Sequence, residues 1–136
     1  AVLLVKLLAK RPEEYVLGLL TGNAKKIADW KLTHAKFPYR FSFGLYGEEA
    51  DDRVALAKLV FKKAEKELEW QPESNEIVVI GDTNHDILCG KAIGAYTIGV
   101  LTGSHLAKES LSTVHPDLLV DSLMDERVLA LLGLRK

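Results

Sequence analysis

Cysteine is nearly absent from this sequence: Cys89 is the only one in 136 residues. No intramolecular disulfide can form, and the expected setting is a reducing, cytoplasmic one. Long apolar runs are missing as well. The stretches of residues 77–80 and 16–20 are far shorter than the roughly 20 residues that a membrane-crossing helix needs. The apolar N-terminus, Ala1-Val-Leu-Leu-Val, is broken by Lys6, Lys10 and Arg11, and no small-residue cleavage site follows. It reads as the end of a helix, not as a signal peptide. Charge of one sign is lacking too: 18 Lys and Arg against 19 Asp and Glu give a formal net charge of −1. Nothing in bulk electrostatics then favours nucleic acid or a membrane surface as partner, and a bound anion must be held by a local site.

No repeat, low-complexity tract or Gly/Pro/Ser linker interrupts the chain, and 48% hydrophobic with 27% charged residues is an ordinary globular composition. One domain over residues 1–136 is expected. Short apolar runs alternate with amphipathic stretches. Strands are expected at residues 16–20, 41–45, 77–80, 96–101 and 118–120. Helices are expected at 2–10, 24–32, 52–69, 85–93 and 124–132, with a further short one after residue 101. In the long helix, Leu56, Val60, Ala64 and Leu68 recur at i, i+4 on one face, while Lys62, Lys63, Glu65 and Lys66 lie on the other. Residues 77–80 are apolar at every position, as in a parallel strand covered on both faces. Repeated strand–helix units predict an α/β fold, a Rossmann-like parallel sheet between layers of helices. Function in such sheets gathers at the carboxyl ends of the strands.

Two strand ends carry chemistry. Thr21-Gly22-Asn23 follows the first strand and opens a helix. A hydroxyl, a glycine permitting close approach, and free helix N–H groups make a phosphate pocket, although the same residues also form ordinary capped turns. Gly81-Asp82-Thr83-Asn84-His85-Asp86 follows the strand at 77–80. Two converging carboxylates repel unless a cation joins them, and hard oxygen ligands suit Mg²⁺. The competing reading makes one of the two acids a helix cap. His34, His105 and His115 share no metal-ligand spacing, His85 is given a loop role, and Cys89 a place in the core. Trp30, Trp70 and the Phe37–Phe43 aromatics are expected to pack.

Gly81-Asp82-x-x-x-Asp86 and the following Ile93-Gly-Ala-Tyr-Thr-Ile-Gly-Val-Leu-Thr-Gly103 resemble the fourth motif, and the strand after it, of the haloacid dehalogenase superfamily. Leu19-Leu-Thr-Gly-Asn23 resembles the second motif, and Pro116-Asp-Leu-Leu-Val-Asp-Ser-Leu123 the final strand. The likeness spans nearly the whole chain in order. It implies that Thr21, with Gly22 and Asn23, binds a phosphoryl group and that Asp82 and Asp86 hold Mg²⁺. Arg53 takes the third-motif position by its place, although Gly47-Glu-Glu-Ala-Asp-Asp-Arg53 lacks the common Gly-Lys-Pro form. Arg53 could instead neutralise the acidic run around it. Thr21, Arg53 and Asp82 are the implied catalytic residues, and Thr102-Gly103-Ser104 a rim of the site.

The resemblance implies Mg²⁺-dependent hydrolysis of a small phosphorylated metabolite through an aspartyl-phosphate, closest to phosphoglycolate-type phosphatases. The family's nucleophile belongs to an Asp-x-Asp motif, and no such motif occurs in this sequence. The nucleophile strand and the substrate-selecting cap are therefore expected to be absent from the chain, which alone is expected to be inactive. Without that strand, residues 1–136 are expected to fold poorly as a monomer or to pair the flanking strands directly. Three alternatives remain: a non-catalytic phosphate- or metal-binding module, a metal-independent dehalogenase, and a receiver domain. The receiver domain is disfavoured by Thr102-Gly103, where such domains carry a Lys.

Overall fold

The computed structural model describes residues 2–37, 39, 41, 43–101 and 105–134. The chain runs α1 (Val2–Ala9), β1 (Gly18–Leu20), α2 (Lys25–His34), β2 (Phe43–Leu45), a 3-10 turn (Gly47–Glu49) and α3 (Arg53–Leu68). A second 3-10 turn (Ser74–Glu76) leads into β3 (Val78–Gly81), α4 (Asn84–Ala92), β4 (Tyr96–Val100), α5 (His105–Thr113), β5 (Leu118–Val120) and α6 (Glu126–Leu131). Every strand pairing is parallel, and helices intervene between successive strands, so the α/β class holds.

The strands form two sheets and not one. β1 pairs with β2, and β3, β4 and β5 form the other sheet in that order. β1 and β3 each have one strand partner among the described residues. By internal contacts the chain divides into two compact units, residues 1–60 and 61–136, with the boundary inside α3.

In the first unit, β1 is shorter than expected: Val16 is exposed, and the ladder starts at Gly18 opposite Phe43. Leu4 and Leu8 of α1, one turn apart, are buried, as are Phe43, Leu45 and Tyr46 around β2 and Leu56 and Ala57 of α3. Trp30 departs from expectation. It is 63% exposed and stacks on His34 one turn along α2, with ring centroids 4.9 Å apart. Trp70 departs from expectation as well, being exposed, whereas Phe43 is buried and Phe41 meets both Phe37 and Tyr39.

The second unit is built on β4, whose Thr97 and Ile98 are fully buried. A buried hydroxyl needs partners, and Thr97 has them. Its N–H and Oγ1 donate to Asp117 Oδ2 at 2.8 and 3.0 Å, and its Oγ1 accepts the Asp117 N–H at 3.0 Å. These bonds tie β4 to the entry of β5. Helix α4 lies close on the sheet because residue 90 is glycine: a Cβ there would sit 3.0 Å from Val79 Cβ and closer still to Thr97. Ile87 and Cys89 of α4 are buried with Leu111, Val120 and Val128.

Candidate functional site

In the first unit, the β1–β2 ladder continues one step past the strand, because the Thr21 N–H donates to the Leu45 carbonyl at 3.1 Å. That bond fixes the backbone from which the Thr21 hydroxyl projects. The Asn23 N–H donates to Thr21 Oγ1 at 3.1 Å. One lone pair of the hydroxyl is thereby used, and its proton stays available to a phosphoryl oxygen. Gly22 is exposed, and Arg53 of α3 stands against it. A Cβ at residue 22 would lie 3.2 Å from both Nε and Nη2 of the guanidinium. Thr21, Gly22, Asn23 and Arg53 therefore share one small region at the carboxyl end of β1.

The helix start beyond this loop is not a row of open N–H groups, as expected from the sequence. The Lys25 N–H donates to Glu48 Oε1 at 2.9 Å, so a carboxylate from the Gly47–Glu49 turn caps α2, whose own cap residue Ala24 has no side-chain acceptor. The Gly47 N–H donates to the Asn23 carbonyl at 2.8 Å. Gly47 also lies so close that a Cβ would collide with the Gly22 carbonyl. Lys25 extends its ammonium to Asp29 at 2.8 Å, and that hydrogen bond raises its pKa above the ordinary lysine value.

In the second unit, Asp82 directly follows β3 and is exposed, and Asp86 sits in the first turn of α4. The helix cap is Thr83, not either acid. The Asp86 N–H donates to Thr83 Oγ1 at 3.3 Å, and Asp86 Oδ2 accepts the Thr83 hydroxyl at 2.9 Å and its N–H at 3.3 Å, which closes a capping box. The Asp86 side chain folds back over the strand end, where a Cβ at Gly81 would collide with it. Residue 81 must be glycine for Asp86 to lie there. The donor set fits Mg²⁺: two carboxylates at one strand end, one exposed and one held by the helix start, leave room for water and substrate oxygens. Among the described residues no group of three or more His, Cys, Asp or Glu gathers as a metal cage, which Mg²⁺ does not require. The expected rim at Thr102, Gly103 and Ser104 lies outside the described residues.

Three contributors were missed in the sequence: Thr83, Gly47 and Glu48. The Thr-x-x-Asp spacing at 83–86 was a legible capping signature. Nothing local could reveal the partnership of Glu48 with residue 25.

A family model for HAD-hydrolase-like proteins matches residues 54–125, just over half of the sequence. The chain belongs to the HAD-hydrolase-like family. The match takes in the Asp82 and Asp86 segment and most of the second unit. Among curated relatives, pyrophosphatase PpaX of Anoxybacillus flavithermus is 37% identical over 119 residues, which is 88% of this chain and 53% of that protein. Two solved structures share the fold. A predicted phosphoglycolate phosphatase from Haemophilus somnus superposes with a TM-score of 0.68 at 20% identity, over 93% of this chain and 54% of that one. A predicted phosphatase from Clostridium acetobutylicum gives 0.66 at 20% identity, over 95% of this chain and 57% of that one. The chain thus spans about half the length of the relatives it matches.

Proposed function

We propose that this chain is the phosphoryl- and magnesium-binding part of a phosphatase that hydrolyses small phosphate monoesters through an aspartyl-phosphate. The observation that supports this most is the Arg53 guanidinium against Gly22, beside a Thr21 hydroxyl whose backbone the sheet fixes. Thr21 donates a hydrogen bond to one phosphoryl oxygen. Arg53 offers a planar fork of N–H donors to others and neutralises charge as it builds in the transition state. Asp82 and Asp86 are the ligands for Mg²⁺, which when bound polarises a phosphoryl oxygen and neutralises charge on the group being transferred. The attacking carboxylate comes from an Asp-x-Asp segment outside these residues. The curated relative's name extends the substrate class to pyrophosphate, which offers the same terminal phosphoryl oxygens.

The test is turnover of an aryl phosphate and of pyrophosphate by the complete gene product, with Mg²⁺ and with the ion chelated. Metal-dependent hydrolysis of either is expected. Phosphate binding without turnover would favour a non-catalytic module, and release of halide from a haloacid without metal would favour the dehalogenase.

A further inference from the structure

The backbone of residues 21–25 is held at four points, three of them by residues more than twenty positions away and two of those three by the Gly47–Glu49 turn. The Thr21 N–H goes to Leu45, the Asn23 N–H to Thr21 itself, the Asn23 carbonyl to Gly47, and the first N–H of α2 to Glu48. The turn supplying the last two is itself closed, since the Glu49 N–H donates to the Tyr46 carbonyl at 2.9 Å. The Tyr46 N–H in turn donates to Glu49 Oε2 at 3.4 Å. Tyr46 is buried, which anchors the turn. The same segment leads directly into α3, whose first residue is Arg53.

We propose that Glu48 is a positioning residue for phosphoryl recognition. Its carboxylate caps α2 and, with the Gly47–Asn23 bond, sets the spacing between the Thr21 hydroxyl and the Arg53 guanidinium. Glu48 touches no substrate. It acts through the backbone of residues 23–25, and it does so as a hydrogen-bond acceptor, so its charge is dispensable. Charge would matter if the carboxylate instead occupied the helix start in place of a phosphoryl group, and removing it would then strengthen anion binding. This inference rests on the reading of Thr21 and Arg53 as the phosphoryl-binding pair.

The experiment is a calorimetric titration of the complete gene product with inorganic phosphate in the presence of Mg²⁺, comparing Glu48→Ala, Glu48→Gln and Arg53→Ala. Glu48→Ala removes the helix cap and is expected to weaken phosphate binding, by at most the roughly fivefold to which a typical cap's full stabilisation converts. Glu48→Gln keeps the acceptor and should restore parent affinity, a rescue that general loss of stability would not produce. KM for an aryl phosphate should rise in Glu48→Ala by more than kcat falls. Parent-like or tighter phosphate binding by Glu48→Ala, with Arg53→Ala weakened, overturns the role of Glu48 and leaves the proposed function standing. Failure of Glu48→Gln to rescue also overturns it. Parent-like binding by Arg53→Ala overturns both. Gly47→Ala, which would push the Gly22 carbonyl, serves as a second variant and should weaken phosphate binding while Thr21 and Arg53 are intact.

Discussion

Arg53 and Lys62 lie on the same helix, and Arg53 stands against Gly22 in the loop after β1. Both are exposed, so a cation count would not separate them. Charge-assisted hydrogen bonds are the strong ones, and losing a guanidinium that makes them costs about 1.5–3 kcal/mol. Arg53→Ala should therefore weaken phosphate binding by roughly tenfold to a hundredfold, while Lys62→Ala leaves it unchanged. Competitive inhibition by inorganic phosphate would measure both. Equal behaviour of the two variants would remove Arg53 from the site. A different kind of charge effect sits at α6, where Asp125 accepts the Arg127 N–H at 2.8 Å and its guanidinium at 3.0 Å. The side-chain bond, followed by the backbone one, lowers the Asp125 pKa below the ordinary carboxylate value. A depressed folded-state pKa means that the contribution to stability is present above the unfolded value and fades as pH falls through the folded one. In a carboxyl NMR titration Asp125 should titrate below the usual range, and Arg127→Ala should move it back up.

Element by element, the strand–helix alternation was readable because apolar runs and helical periodicity are local properties. The long helix, expected at 52–69, forms at Arg53–Leu68, and Leu56 and Ala64 on its apolar face are buried as the i, i+4 spacing required. The fourth-motif turn was readable in part. Asp82 was placed at the end of a strand correctly, but the competition between cap and ligand was resolved by Thr83, a residue given no role. The capping contact makes a clean prediction. Thr83→Ala should lower stability by about 1 kcal/mol, seen as a lower Tm, because it removes the hydroxyl that accepts the Asp86 N–H and donates to the Asp86 carboxylate. Gly81→Ala should cost more activity than stability, since the new Cβ displaces the Asp86 side chain from the strand end. The Glu48 contact was illegible for a simple reason. It joins residues 23 positions apart, and only the β1–β2 register brings them together.

For the whole molecule, the family match and the parallel topology agree. No helix among the described residues is long and apolar enough to cross a membrane. The chain carries the residues proposed to bind phosphoryl group and metal, spans about half of its relatives, and contains no Asp-x-Asp segment. Its chemistry therefore rests on whether Asp82 and Asp86 serve a metal. The two are not equivalent. Asp86 is already bonded to Thr83, and Asp86→Asn, which removes the charge of a proposed ligand, should lower apparent Mg²⁺ affinity. Asp82 is exposed at the end of β3, where a carboxylate can meet a hydrated cation. The most direct measurement is a Mg²⁺ titration of aryl-phosphate turnover by the complete gene product and its Asp82→Asn variant, with folding checked by circular dichroism. The expected result is a folded variant whose turnover falls by about a hundredfold or more and is not recovered at high Mg²⁺. Near-parent turnover with an unchanged Mg²⁺ dependence would contradict it.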